Sequence, residues 1–270
     1  MKAGGRAPSE EIMMLTPWMA AFLMAAAPVD AGSVKPVADA GVTMSTDAGV
    51  PVKKADLAPD VKVLVDRVQA FYEKTQDFTA EFKQEYLYKA FKRTQTSSGT
   101  VTFKKPALMR WEYLKPSPKT FVLAGDRVFA HDPEAKLITR AAMNTNQLSA
   151  SVTFLFGVGK LENEFAIVKK ACAKCTGTQL ELTPLVADPR FKRILLEVDE
   201  KSAIVIKSTV IDPDGSENAI SFIKLTTNVG INESHFKLMP PPGTQVQDFL
   251  TGAQMTVPGK DAGVTLDAGK

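Results

Sequence analysis

The chain has 270 residues, of which 44% are hydrophobic and 23% are charged, a composition typical of a soluble globular protein. This length allows one domain of roughly 200 residues with tails, or two small domains. The formal net charge of +3 comes from scattered lysines and arginines that form no basic run, which argues against nucleic acid as a partner.

The N-terminus has the pattern of an export signal. An apolar run begins at Ile12 and ends in three alanines at residues 25–27, a small-residue pattern that signal peptidases cleave. We therefore interpret residues 1–27 as a secretory signal peptide. The acidic pair Glu10 and Glu11 before the run is atypical, so an uncleaved anchor is the alternative.

Two further segments are predicted to lie outside the globular part. Residues 28–57 are rich in Ala, Gly, Asp and Pro and are interpreted as a disordered linker. The same Asp-Ala-Gly composition returns in residues 251–270, which are predicted to be a disordered tail. One domain over residues 58–250 remains.

Two amphipathic helices are predicted within that domain. Apolar residues recur at helical spacing from Val61 to Tyr72, with Asp60 as an N-cap or first-turn acid. A second helical period covers residues 144–159 and includes Leu155, and glycines end it. Each helix has one broad apolar stripe to bury.

The stretch from residue 99 to residue 130 alternates with a period of two, which predicts antiparallel strands with one buried face. Pro106 and the Gly125-Asp126 turn bound the runs. With the other runs, about ten short strands are predicted, so the fold is mainly β (α+β), a long antiparallel sheet that curls into a barrel-like shape. One face of the central strands carries Val101, Phe103, Lys105, Met109, Trp111 and Tyr113.

The two cysteines, Cys172 and Cys175, leave three interpretations: half a zinc site, a redox pair, or a disulfide across a turn. Zinc lacks a second ligand pair, because His131 and His235 have no ligand spacing. A redox pair is expected at the start of a helix, whereas strands are predicted on both sides here. In an exported chain the disulfide is favoured.

Motifs for catalysis are not recognisable in the sequence, which shows no nucleophile elbow, phosphate-binding loop or zinc-protease motif. His131 beside Asp132 is interpreted as part of a turn rather than as a catalytic dyad. We therefore expect a binding protein rather than an enzyme, with no cofactor and no metal site.

Several motifs, in order along the chain from about Val61 to Val246, resemble the outer-membrane lipoprotein carrier protein family (LolA). The most specific is the block from Gly99 to Trp111, and the others are weak alone. In sequence letters they are FTAEFKQ from Phe78, GTVTFKKP from Gly99, MRW from Met109, GD at Gly125, and FKLMPPPG from Phe236.

The resemblance implies an unclosed β-barrel with a lid of two to three helices and a hydrophobic cavity for lipoprotein acyl chains. Such a carrier acts as a monomer in the periplasm. It accepts lipoproteins from an inner-membrane ABC-type transporter and passes them to an outer-membrane receptor. The alternative is a lipid- or lipoprotein-sensing regulator of the RseB type, which has the same half-barrel followed by a second domain. No folded segment is predicted after Val246.

The resemblance and the alternation together predict the site residues. In this family an arginine ties the barrel to the lid, and it stands directly before a proline. Lys105 occupies this position here, and a lysine ammonium is a point charge that lacks the several N–H donors of an arginine side chain. Lys105 either binds carbonyls at the C-terminus of a lid helix, as a latch, or is a solvated strand-end lysine. The expected cavity lining is Val65, Val68 and Tyr72 from the helix, facing Val101, Phe103, Met109, Trp111, Phe121 and Leu123, together with Leu155.

Overall fold

The structure, a computed structural model, describes residues 56–143, 159–251 and 254–257. The predicted signal peptide, nearly all of the linker, and the helix over residues 144–159 with Leu155 lie outside the described residues. Within the described ranges, no helix has the length and apolar character needed to cross a membrane.

The described chain forms one sheet, two α-helices and one 3-10 helix. The helices are α1 (Pro59–Lys74), α2 (Leu161–Glu164) and the 3-10 helix Glu233–Phe236. The strands are β1 (Asp77–Tyr88), β2 (Arg93–Lys104), β3 (Leu108–Lys115), β4 (Lys119–Ala124), β5 (Arg127–Asp132), β6 (Leu137–Ala142), β7 (Phe165–Lys170), β8 (Thr178–Pro184), β9 (Arg193–Val198), β10 (Val205–Ile211), β11 (Glu217–Thr227), β12 (Gln245–Asp248) and β13 (Gln254–Thr256).

The strands are hydrogen-bonded in the order β13-β12-β6-β5-β4-β3-β2-β1-β11-β10-β9-β8-β7. β1 lies at the centre and joins a first half, β1 to β6, to a second half, β7 to β11. Among the described strands, β7 and β13 form the two edges and do not pair with each other, so the sheet is unclosed. The predicted mainly β fold is confirmed, with thirteen described strands rather than about ten.

Both faces of β4 and β5 carry buried residues. Alternate residues of β3 and β4, such as Trp111 and Leu123, lie in one apolar cluster, here called the inner cluster, which also contains Phe82 of β1. Their neighbours in sequence, such as Val122, pack on the other face against Phe236 and its surroundings. The polypeptide that follows β11 therefore covers the outer face of β4, β5 and β6.

Helix α1 begins with Pro59 in its first turn, where the missing N–H costs no hydrogen bond, and Asp60 is a first-turn acid. Its stripe, which includes Val65 and Val68, packs on the inner-facing residues of β7 to β10 and forms a second cluster, the helix cluster. The predicted helix is confirmed, and it covers the second half of the sheet.

Three details of the structure differ from the sequence expectations. The globular part does not stop at residue 250, because β13 pairs antiparallel with β12 and Val257 is buried on the outer face. β12 itself lies parallel to β6, an exception to the predicted antiparallel sheet. His131 is a residue of β5 rather than of a turn.

Candidate ligand-binding site

The inner cluster gathers the large side chains that the sequence predicts on one face. Val101, Phe103, Met109 and Leu123 are buried, as is Trp111, which is 8% exposed. Phe121 is partly buried and packs against the same cluster. The strand register explains this grouping, because Val101 lies opposite Trp111 and Trp111 lies opposite Phe121.

The structure adds aromatic residues to this face that the list of expected lining residues does not contain. The ring of Phe82 lies 4.8 Å from that of Trp111 and 5.0 Å from that of Tyr113, both edge to face. The alternation of Phe78, Ala80 and Phe82 in β1 is the signal that identifies Phe82, whereas the alternation along β3 already places Tyr113 on this face. The inner cluster is therefore an apolar wall, rich in aromatic rings, that spans at least four adjacent strands.

Gly99 lets β2 and β3 approach closely beside this wall. A Cβ atom at this position would lie 1.8 Å from the backbone carbonyl oxygen of Glu112, which no side chain can tolerate. Phe82 is the cross-strand neighbour of Gly99 on β1. The glycine of the GTVTF motif thus permits both the strand contact and the position of the Phe82 ring.

The helix residues expected to face this wall lie elsewhere. Val65, Val68 and Tyr72 belong to the helix cluster, and the hydroxyl of Tyr72 accepts a hydrogen bond of 3.3 Å from the backbone N–H of Val205. Burial raises the pKa of the Tyr72 phenol, so this group stays neutral. The members of this cluster from β8 and β9 are all aliphatic, and α1 packs on them.

Lys105 lies directly after β2 and reaches the C-terminus of α1. Its Nζ donates hydrogen bonds to the carbonyl oxygens of Tyr72, at 3.0 Å, and of Glu73, at 2.7 Å. The last carbonyls of a helix have no partner within the helix, and a cation is favourable at this end. Burial lowers the pKa of the Lys105 ammonium, and the charge of Glu73 opposes this effect. This is the contact that a latch requires; the role itself stays a prediction.

Cys172 and Cys175 form a disulfide in the connection between β7 and β8. The sequence had favoured this pairing over a zinc site or a redox pair. The bond lies at the edge of the second half and closes a loop of only three residues' separation, so it stiffens a turn.

Comparison with known proteins identifies the family. The profile of the family described as "Outer membrane lipoprotein carrier protein LolA" matches residues 73–239. The outer-membrane lipoprotein carrier protein of Dechloromonas aromatica is 28% identical over 183 residues, which are 67% of this chain and 86% of the relative. That of Cupriavidus pinatubonensis is 25% identical over 208 residues, which are 76% of this chain and 97% of the relative.

Among solved structures, an uncharacterized conserved protein from Thermus thermophilus covers 70% of this chain and 99% of its own, with 12% identity and a TM-score of 0.46. A LolA superfamily protein from Nitrosomonas europaea covers 65% of this chain and 96% of its own, with 8% identity and a TM-score of 0.37. These overlaps are too loose to bear on function. The family match spans more than half of the chain, and this protein therefore belongs to the outer membrane lipoprotein carrier protein LolA family.

Proposed function

We propose that this protein is a periplasmic, non-enzymatic carrier that binds lipoprotein acyl chains against its inner cluster and moves lipoproteins from the inner to the outer membrane. Membership of the carrier family supports the proposal. The observation that carries it is the inner cluster, a wall of apolar and aromatic side chains on one face of an unclosed sheet. Apolar walls of this kind bind apolar ligands.

The energetics of acyl chains set the partners that such a carrier needs. Each buried CH₂ group contributes about 0.8 kcal/mol, so even partial burial of two or three chains competes with a membrane. Loading therefore needs a donor that extracts the lipoprotein, for which we propose an inner-membrane ABC-type transporter. Release needs an acceptor of higher affinity, for which we propose an outer-membrane receptor.

We further propose that Lys105 is a latch between sheet and lid. It lies at the end of a strand of the inner cluster and holds the last turn of α1 by two carbonyls. When α1 moves away from the sheet, both hydrogen bonds break. The latch therefore favours the closed, empty carrier and assists release of cargo.

The test is solubilisation of a detergent-free, membrane-embedded lipoprotein by the purified protein. A soluble one-to-one complex is expected, and a lipoprotein that stays in the membrane fraction regardless of the carrier would overturn the proposal.

A matched pair of variants on β4 locates the binding face. Phe121→Asp places a charge on the inner face and should abolish most solubilisation. Thr120→Asp places the same charge one residue away, on the other face, and should leave solubilisation close to that of the unsubstituted protein. Equal loss in both variants would argue against binding at the inner cluster.

A further inference from the structure

Three polar side chains lie buried on the apolar inner face at the middle of the sheet. They are Gln84 of β1, Ser97 of β2 and Asn218 of β11, and they are 4%, 1% and 1% exposed. Gln84 and Ser97 are cross-strand partners, and so are Gln84 and Ile220. These three residues, here called the polar trio, therefore share a face with the inner cluster.

The polar trio also borders the helix cluster. Asn218 lies opposite Val210 of β10, and Val210 packs against the cluster that contains α1. The trio thus borders both apolar clusters. A ligand held against the inner cluster would reach the trio at one end.

The hydrogen bonds within the trio leave defined atoms unpaired. Gln84 Nε2 donates to Asn218 Oδ1 at 2.8 Å. Gln84 Oε1, Asn218 Nδ2 and Ser97 Oγ have no partner among the residues that the structure describes. Buried polar atoms without partners destabilise a fold, and apolar residues of the same size would avoid the loss. A ligand that completes these hydrogen bonds would account for them.

The unpaired atoms specify the chemistry of that ligand. Gln84 Oε1 needs a donor, Asn218 Nδ2 needs an acceptor, and the Ser97 hydroxyl serves as either. All three side chains are neutral, so the trio offers no counter-charge to a phosphate, carboxylate or ammonium group. A secondary amide has one N–H donor and one carbonyl acceptor and matches this set.

We propose that the polar trio binds the amide linkage of an N-acylated lipoprotein terminus, an inference that rests on the proposed carrier function. The amide N–H donates to Gln84 Oε1, and its carbonyl oxygen accepts from Asn218 Nδ2 or Ser97 Oγ. The acyl chain attached to this amide then extends along the inner cluster. A phospholipid ester has acceptors only and leaves Gln84 Oε1 unpaired, so the trio selects amide-linked over ester-linked chains.

Three probes separate these ligand sources: a lipopeptide acylated on both its glycerol and its N-terminal amine, the same lipopeptide with a free amine, and palmitic acid. The unsubstituted protein should bind the N-acylated lipopeptide more tightly than the lipopeptide with a free amine. Ser97→Ala, and separately the double variant Gln84→Leu/Asn218→Leu, should lose about 3- to 10-fold affinity for it per hydrogen bond removed. Their affinity for palmitic acid should be unchanged.

Ser98→Ala is the matched control, because Ser98 is the next residue on β2 and its side chain lies on the opposite face. It should bind all three probes as the unsubstituted protein does. The double variant should unfold at the same or a higher temperature, since it removes both members of an incompletely paired couple. If the double variant also loses affinity for palmitic acid, the inference is judged by the lipopeptide affinities of Ser97→Ala alone.

Two results overturn the inference in different ways. If Ser97→Ala and the double variant discriminate between the lipopeptides as the unsubstituted protein does, the polar trio is not the amide site and the carrier function stands. If the unsubstituted protein binds neither lipopeptide, the carrier function fails, and the amide site fails with it.

Discussion

At the scale of single residues, Lys105 connects the end of β2 to the C-terminus of α1. Its ammonium replaces the intrahelical partners that the carbonyls of Tyr72 and Glu73 lack. Lys105→Leu should keep the fold but weaken the closed state, so the carrier loads lipoprotein yet transfers less of it to outer membranes. The measurement is transfer from preloaded carrier, beside a thermal melt.

The neighbouring lysine supplies the control for this experiment. Lys104 Nζ donates to the carbonyl oxygen of Ile231, away from α1, so Lys104→Leu should transfer normally. Lys105→Arg keeps a cation at the helix end and should retain transfer. Normal transfer by a folded Lys105→Leu protein would refute the latch and leave Lys105 with a structural role only.

Trp111 is the second residue whose substitution is informative. Its indole packs edge to face on Phe82, and its Nε1 lies 2.8 Å from the sulfur of Met109. Trp111→Ala should lower the free energy of unfolding by about 3–5 kcal/mol, because the cavity left by the indole cannot collapse fully. Leu114→Ala, at an exposed site on the same strand, should change it by less than about 0.5 kcal/mol. Denaturant unfolding compares the two, and similar small effects would mean that Trp111 is not packed.

At the scale of elements, the docking of β12 on β6 depends on a buried carboxylate. Asp248, which is 2% exposed, accepts hydrogen bonds from Arg140, from the Thr251 hydroxyl and from the backbone N–H of Leu250. The Arg140 guanidinium holds the pKa of this carboxyl well below its usual range. A lowered pKa contributes stability above the unfolded value of about 3.9, and this stability is lost as the pH falls toward the folded value.

Asp248→Asn should therefore cost about 1.5–3 kcal/mol at neutral pH, and the difference from the unsubstituted protein should shrink only below about pH 4. Asp126→Asn removes an exposed carboxylate that lies 3.7 Å from Arg127 and should change stability little at any pH. Unfolding curves at a series of pH values provide the measurement. A constant difference from neutral pH down to about pH 3 would contradict the assigned role of the Arg140 pair.

An element was predictable from the sequence when the residues that determine it are neighbours in the chain. The period of two, bounded by Pro106 and the turn at Gly125, predicted the central strands and the shared face of Met109 and Trp111, because alternation is a property of one strand. The period of 3.6 predicted α1 for the same reason. The parallel partner of β12 and the half of the sheet that α1 covers were not predictable, since both depend on surfaces far away in the chain.

The polar trio shows the same limit within the candidate site. Gln84, Ser97 and Asn218 are each an ordinary polar residue in a strand, and only the strand register brings them together. Alternation along each strand places Gln84 and Ser97 in phase with the inward-facing Phe82 and Val101, but no local pattern shows that these polar side chains meet at one buried site. The apolar wall could be predicted from the sequence, whereas the polar trio could be recognised only in the folded sheet.

At the scale of the whole molecule, the strands of the centre and helix α1 are held in place by different interactions. β1, β2 and β11 are each hydrogen-bonded to strands on both sides. Helix α1, in contrast, contacts the sheet through side chains and, at its C-terminus, through Lys105. If cargo bound at the inner cluster extends past the polar trio and under α1, then α1 is the described element that must yield, because its removal breaks no strand pairing.

Hydrogen–deuterium exchange on the empty and the lipoprotein-loaded protein tests whether α1 moves away from the sheet when cargo binds. The amides of α1 should exchange severalfold faster in the loaded carrier, because the helix has left its apolar support and a lone helix of this length is marginal in water. The amides of β1 should stay protected in both states and serve as the internal control. In Lys105→Leu the α1 amides should exchange faster even without cargo. Equal protection of α1 and β1 in the loaded carrier would show that α1 is a fixed part of the fold and that cargo enters elsewhere.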